Sequence, residues 1–140
     1  MKIYFAGSIR GGRNGQRVYR RMIEHMRQYG RVLTEHVGAP DLSDFGDDRI
    51  SDQRIYERDM SWLREADILV AEVSTPSLGV GYEIAKAEEQ GKPVLCLYRE
   101  RRAMGVSAMI TGNRGIRVEG YQTEGEAFQR IDRFLSDPPA

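Results

Sequence analysis

The feature that most constrains this chain is a regular alternation between short apolar runs and amphipathic stretches of helical period. The runs are Ile3-Tyr4-Phe5-Ala6, Val32-Leu33, Ile68-Leu69-Val70-Ala71, Val94-Leu95-Cys96-Leu97 and a weaker Ile116-Arg117-Val118. Runs of this length read as buried strands. Between the first two, Val18, Met22, Met26 and Tyr29 recur at i, i+4, i+8 and i+11, and Gly30 stands where a helix C-cap belongs. Ile55, Asp59, Trp62 and Ala66, with Leu63 beside them, predict a second helix with Ser51 or Asp52 as its N-cap. A third helix is expected from about Val80 to Gln90, stopping at Gly91 before Pro93, and a last one on Ala127, Phe128, Ile131, Phe134 and Leu135. Residues 37–50, with Gly38, Pro40, Gly46 and several aspartates, read as a long polar loop. Alternating strands and helices over this length predict an α/β fold. The expectation is one domain, residues 1–140, with a five-stranded parallel sheet in the order 2-1-3-4-5 and helices on both faces, flavodoxin-like or Rossmann-like.

Charge narrows the partners. Lys+Arg 21 and Asp+Glu 21 cancel to a formal net charge of zero, so no global positive field draws in a nucleic-acid polymer or an anionic membrane. An anionic ligand is expected to be small and locally held. No apolar run approaches the roughly 18 residues that span a bilayer, and the chain reads as soluble and cytoplasmic. Cys96 lies inside an apolar run and reads as a small hydrophobe. His25 and His36 are the only histidines, and without a cysteine pair or HExxH spacing no metal centre is expected.

In a sheet of this order, ligands bind beyond the carboxyl ends of the strands, where the winding reverses between strands 1 and 3. The loops there read Gly7-Ser8-Ile9-Arg10-Gly11-Gly12-Arg13-Asn14-Gly15 and Ser74-Thr75-Pro76-Ser77-Leu78-Gly79-Val80-Gly81. Glycines let backbone N–H groups approach an anion, a helix N-terminus adds positive partial charge, and Ser8, Ser77 and Arg10 add donors, so two converging loops form a phosphate cradle. Glycine also serves such loops simply by letting them turn. Neither GxGxxG nor GxxxxGK[ST] occurs, which disfavours a standard dinucleotide or P-loop site.

Glu83 is expected in the first turn of the third helix, where the positive helix end keeps a carboxylate ionised and suited to nucleophilic attack. Glutamate also occurs in first turns merely because it complements the dipole. Asp59 stands within an otherwise core-facing stripe, a costly place for a carboxylate unless it is paired or used, and Arg58 points about 100° away around the helix. Lying at the margin of the stripe, or bonding to a loop, would also account for it. Together Glu83 and Asp59 supply the two carboxyl groups of glycosidic cleavage through a covalent intermediate, with Tyr4 placed to orient one of them. The run Arg99, Glu100, Arg101 and Arg102 reads as a solvated loop, and Asp41, Asp44, Asp47 and Asp48 lack EF-hand spacing. Tyr56, Trp62 and Tyr82 read first as core packing, with stacking on a base as the other use.

The segments Tyr4-Phe5-Ala6-Gly7-Ser8-Ile9-Arg10-Gly11-Gly12-Arg13, residues 29–37, Ala71-Glu72-Val73 and Ser77-Leu78-Gly79-Val80-Gly81-Tyr82-Glu83 resemble the nucleoside 2-deoxyribosyltransferase family. Within it they resemble the branch of N-hydrolases acting on 2'-deoxynucleoside 5'-phosphates. The likeness extends to Gly91-Lys92-Pro93 and Ser107-Ala108-Met109-Ile110. It implies Glu83 as the nucleophile toward the anomeric carbon, Asp59 as the acid assisting departure of the base, and Tyr4 as the residue positioning the nucleophile. It also implies a 5'-phosphate site at Ser8, Ile9, Arg10, Gly12, Ser77 and Gly79, joined by the adjoining Gly7 and Gly11. Ser107 and Met109 resemble residues that a neighbouring subunit of a homodimer contributes.

The expected reaction is hydrolysis of a 2'-deoxynucleoside 5'-monophosphate to 2-deoxyribose 5-phosphate and free base. No metal or organic cofactor is implied. A deoxyribosyltransferase passing the sugar to a second base, and a non-catalytic nucleotide-binding module, are the alternatives.

Overall fold

The computed structural model describes residues 1–9, 15–34, 37, 50–100 and 105–139. The elements run β1 (Lys2–Gly7), α1 (Gln16–Met26), β2 (Arg31–Val32), α2 (Asp52–Glu65), β3 (Ile68–Glu72), α3 (Leu78–Glu89), β4 (Val94–Arg99), α4 (Ala108–Thr111), β5 (Arg117–Tyr121) and α5 (Glu124–Ser136). The five strands are all parallel and ordered β2-β1-β3-β4-β5, the expected winding. β1 and β3 pair over their length, from Ile3 with Ile68 to Gly7 with Glu72, so the reversal point lies between their carboxyl ends.

Alternation along the strands builds two cores. Ile3, Phe5, Ile68, Val70, Leu95 and Leu97 face α1 and α5, whereas Tyr4, Ala6, Leu69, Ala71, Val94 and Cys96 face α2 and α3. Cys96 is wholly buried, with burial pushing its thiol up to about 12, so it behaves as the expected hydrophobe.

Some boundaries differ from the sequence reading. α1 ends at Met26 rather than at Tyr29, and Gly30 is not its left-handed cap, since Gly91 alone among the described residues has positive φ. Gly30 is needed for close approach: a Cβ there would stand 2.0 Å from the Met1 carbonyl oxygen, which accepts the Arg31 N–H. The short α4 had no periodic signal because four residues make barely one turn. The long loop expected at 37–50 lies outside the described residues except at its ends, where Val37 is buried.

Candidate active site

α3 is capped by Ser77, whose Oγ accepts the Val80 N–H at 3.3 Å, and begins at Leu78. Glu83 is therefore its sixth residue, in the second turn rather than the first. Val80, Ile84 and Ala87 bury one face of α3 against the sheet, which turns Glu83 toward β1. There the Tyr4 hydroxyl donates to Glu83 Oε2. Tyr4 is 1% exposed, and burial, then the neighbouring Glu83 and Asp59 charges, raise its pKa, so the phenol keeps its proton and remains a donor.

The charge state of Glu83 departs from expectation. Burial pushes its carboxyl up to about 7; the Tyr4 hydrogen bond pulls it down and the charge of Asp59 pushes it up. One turn removed from the helix end, the side chain feels desolvation more than the dipole, which acts mainly within the terminal turn.

Asp59 comes from α2, whose Ser51 cap accepts the Arg54 N–H at 3.3 Å. The buried residues of that helix are Met60 and Leu63, and the Asp59 side chain, 23% exposed, sits at the margin of their face. Burial holds its carboxyl above the ordinary aspartate value, opposed by the charge and hydrogen bond of Arg58. Arg58 Nε donates to Asp59 Oδ1 at 3.0 Å, which corrects the expectation that adjacent side chains on a helix would not pair. The long Arg58 side chain bends back while its guanidinium lies 4.8 Å over the Trp62 ring.

Tyr4, Glu83 and Asp59, 24 and 55 positions or more apart in sequence, are thus brought into one electrostatic cluster. Gly7, Ser8 and Ile9 stand at the carboxyl end of β1. The Ser8 Oγ is buried and finds no hydrogen-bond partner among the described residues. Arg10, Gly11 and Gly12 lie outside the described residues. Ser77 and Gly79 occupy the amino end of α3. Ser107 caps α4 through its Oγ and the Met109 N–H, 3.2 Å apart, and Met109 is 82% exposed.

Sequence reasoning missed Tyr19. Its ring fills the space between the two ends of the first glycine-rich loop: a Cβ on Gly7 would fall 2.9 Å from it and one on Gly15 2.7 Å, while its hydroxyl accepts the Ser8 N–H at 3.2 Å. Two of the loop's glycines thus have a packing reason. The signal was present as an aromatic four residues past Gly15, on the buried face of α1. Tyr56 and Tyr82 are about half exposed, with ring centroids 6.2 Å apart and hydroxyls at 3.3 Å, so neither packs in the core as first read. Tyr56 also lines a groove of about 240 Å³ between α2 and α3, with Glu57, Met60, Arg64, Lys86 and Gln90. Among the described residues no helix is long and apolar enough to cross a membrane.

This fold and site define an α/β protein with an acidic, phenol-braced centre beside a parallel sheet. The chain belongs to the nucleoside 2-deoxyribosyltransferase family, whose profile matches residues 3–130. It is 47% identical to the 5-hydroxymethyl-dUMP N-hydrolase of Rattus norvegicus over 95% of this chain and 83% of that protein. It is 44% identical to the Homo sapiens protein of that name over 98% and 81%, and 50% identical to that of Tetraodon nigroviridis over 98% and 99%. Its fold is similar to that of a Clostridium botulinum CMP N-glycosidase, with TM-score 0.66, 18% identity and coverage of 96% and 99%.

Proposed function

We propose that this chain hydrolyses the N-glycosidic bond of 2'-deoxynucleoside 5'-monophosphates, releasing free base and 2-deoxyribose 5-phosphate. The observation that carries the reading is the Tyr4–Glu83 hydrogen bond with Asp59 beside it, in a chain whose relatives are named N-hydrolases. Glu83, deprotonated and held by the Tyr4 hydroxyl, attacks the anomeric carbon. The bond to the base nitrogen breaks, and Asp59, whose carboxyl burial holds above the ordinary aspartate value, gives a proton to the departing base. The product of this step is a glycosyl ester on Glu83. Asp59, now a carboxylate, takes a proton from water as the water oxygen attacks the same carbon and Glu83 leaves. Both residues return to their starting states.

The phosphate is held by Gly7, Ser8, Ile9, Arg10, Gly11 and Gly12, and by Ser77 and Gly79 at the amino end of α3. Ser107 and Met109 complete the neighbouring site of a homodimer, which fits the exposure of Met109 and of Leu78, 98% exposed at the start of α3. A free nucleotide substrate fits a cytoplasmic protein.

The test is incubation with each of the four deoxynucleoside monophosphates and with 5-hydroxymethyl-dUMP, followed by chromatography with and without an acceptor base. Base and sugar phosphate in equal amounts are expected. Formation of a new nucleotide with the acceptor would identify a transferase, and unchanged nucleotide a binding module.

A further inference from the structure

Glu72 ends β3 on the sheet face opposite Tyr4, and it is 3% exposed. Its carboxylate is fully engaged: Oε1 accepts the Ser74 N–H at 2.7 Å, and Oε2 accepts the Ser74 hydroxyl at 2.8 Å and the Tyr121 hydroxyl. Ser74 Oγ in turn accepts the Arg99 N–H at 2.8 Å. Tyr121 is 1% exposed and stands at the end of β5, so its side chain crosses above β4 to reach β3. Burial and the Glu72 charge both raise its pKa and keep it a donor. The carboxyl ends of β3, β4 and β5 are thereby tied together through Glu72 and Ser74.

A buried carboxylate is a costly way to fill space, and an apolar side chain of that size would pack there as well. What the carboxylate adds is direction, since its bonds to Ser74 fix both the backbone and the side chain of that residue. Ser74 is the second residue of the segment 73–77 that joins β3 to α3. Three residues later comes Ser77, the α3 cap, and the intervening Pro76 has no N–H with which to anchor the loop. Glu83 does not depend on this tie in the same way, because it is held by the Tyr4 hydroxyl and by the packed face of α3.

We infer that Glu72, Ser74 and Tyr121 form a positioning latch that sets the β3–α3 loop for the 5'-phosphate of the substrate, from the far side of the sheet and without touching the substrate. The inference rests on the proposed nucleotide hydrolysis. It deepens that reading by assigning phosphate selectivity to residues outside the site.

The experiment compares wild type with Ser74→Ala and Tyr121→Phe on the best deoxynucleoside monophosphate and on the matching deoxynucleoside, which lacks the phosphate. Losing one partner of a buried hydrogen-bonded group is expected to raise KM for the nucleotide roughly tenfold. The kcat should stay within about twofold, as should kcat/KM for the deoxynucleoside, and Ser74→Thr, which keeps the hydroxyl, should restore KM. Equal losses on both substrates, or a lowered Tm with KM unchanged, would reduce the latch to a structural role and overturn the inference. A wild type that binds the nucleotide by calorimetry but does not cleave it would sink the hydrolase reading alone, and the same variants would then be judged by their nucleotide dissociation constants. A wild type that neither binds nor cleaves overturns both.

Discussion

The Tyr4 hydroxyl reaches Glu83 across 79 positions of sequence, joining the middle of β1 to the second turn of α3. This bond and the nearby Asp59 act on the Glu83 carboxyl in opposite directions, one lowering and one raising its pKa. Because the attacking form is the deprotonated one, activity should fall as pH drops through about 7. Tyr4→Phe removes the lowering influence and should move the acid limb of kcat/KM to higher pH. Asp59→Asn removes the raising influence and should move it lower, while also costing on the order of 10²–10⁴ in kcat through loss of the acid. A pH series on the three proteins checks this, and shifts in the same direction for both variants would contradict the assignment.

Glu83→Gln should abolish turnover, by on the order of 10⁴–10⁶, while raising stability in alkaline buffer. The sign follows from the carboxyl group being raised to about 7 in the fold from an ordinary value of 4.5. Between those values the folded protein holds the proton that the unfolded chain has lost, so wild-type stability falls as pH rises through the window and stays reduced above it. The amide carries no such penalty. Thermal melts at pH 5 and pH 8 should therefore show the variant gaining on wild type only at the higher pH. Mass spectrometry of wild type quenched during turnover should find the deoxyribose phosphate adduct on Glu83.

Glycine substitutions separate close approach from helix propensity. Gly30→Ala places a methyl 2.0 Å from the Met1 carbonyl oxygen, a backbone atom just ahead of the strand paired with β2, and should cost about 1–3 kcal/mol. Gly81 lies within α3, and a methyl added there would meet nothing within 4 Å, so Gly81→Ala should stabilise by about 0.5–1 kcal/mol. Denaturant unfolding measures both, and a destabilised Gly81→Ala would mean that α3 does not pack as described.

The sheet was legible because parallel strands buried on both faces announce themselves as apolar runs, and Ile68–Glu72 and Val94–Arg99 do so with little ambiguity. Glu83, Asp59 and Tyr4 could be nominated from position and resemblance, but their charge states could not. Desolvation of Glu83 depends on what α2, α3 and β1 exclude together, and no local pattern encodes that. Gly30 escapes a local reading for a related reason: its need for a missing side chain comes from Met1, 29 positions away, while the helix it follows has already ended. Arg58 escapes it because helical spacing fixes where Cβ atoms point and not where a long side chain can return.

The proposed homodimer allows a test that no single-chain property can satisfy. If each site takes Glu83 from one subunit and Ser107 from the other, inactive mutants at the two positions should complement. Glu83→Ala removes the nucleophile, and Ser107→Asp places a carboxylate where it would repel the substrate phosphate, so each homodimer should be nearly inactive. Ser107 is exposed at the start of α4, and its substitution disturbs a cap of one short turn rather than the core. In a two-fold symmetric heterodimer, one site collects both substitutions and the other collects neither. Random reassortment of equal amounts makes about half the dimers mixed, so activity should recover to roughly a quarter of wild type. Mixed dimers verified by native mass spectrometry but lacking activity would place Ser107 in its own subunit's site, or outside any site.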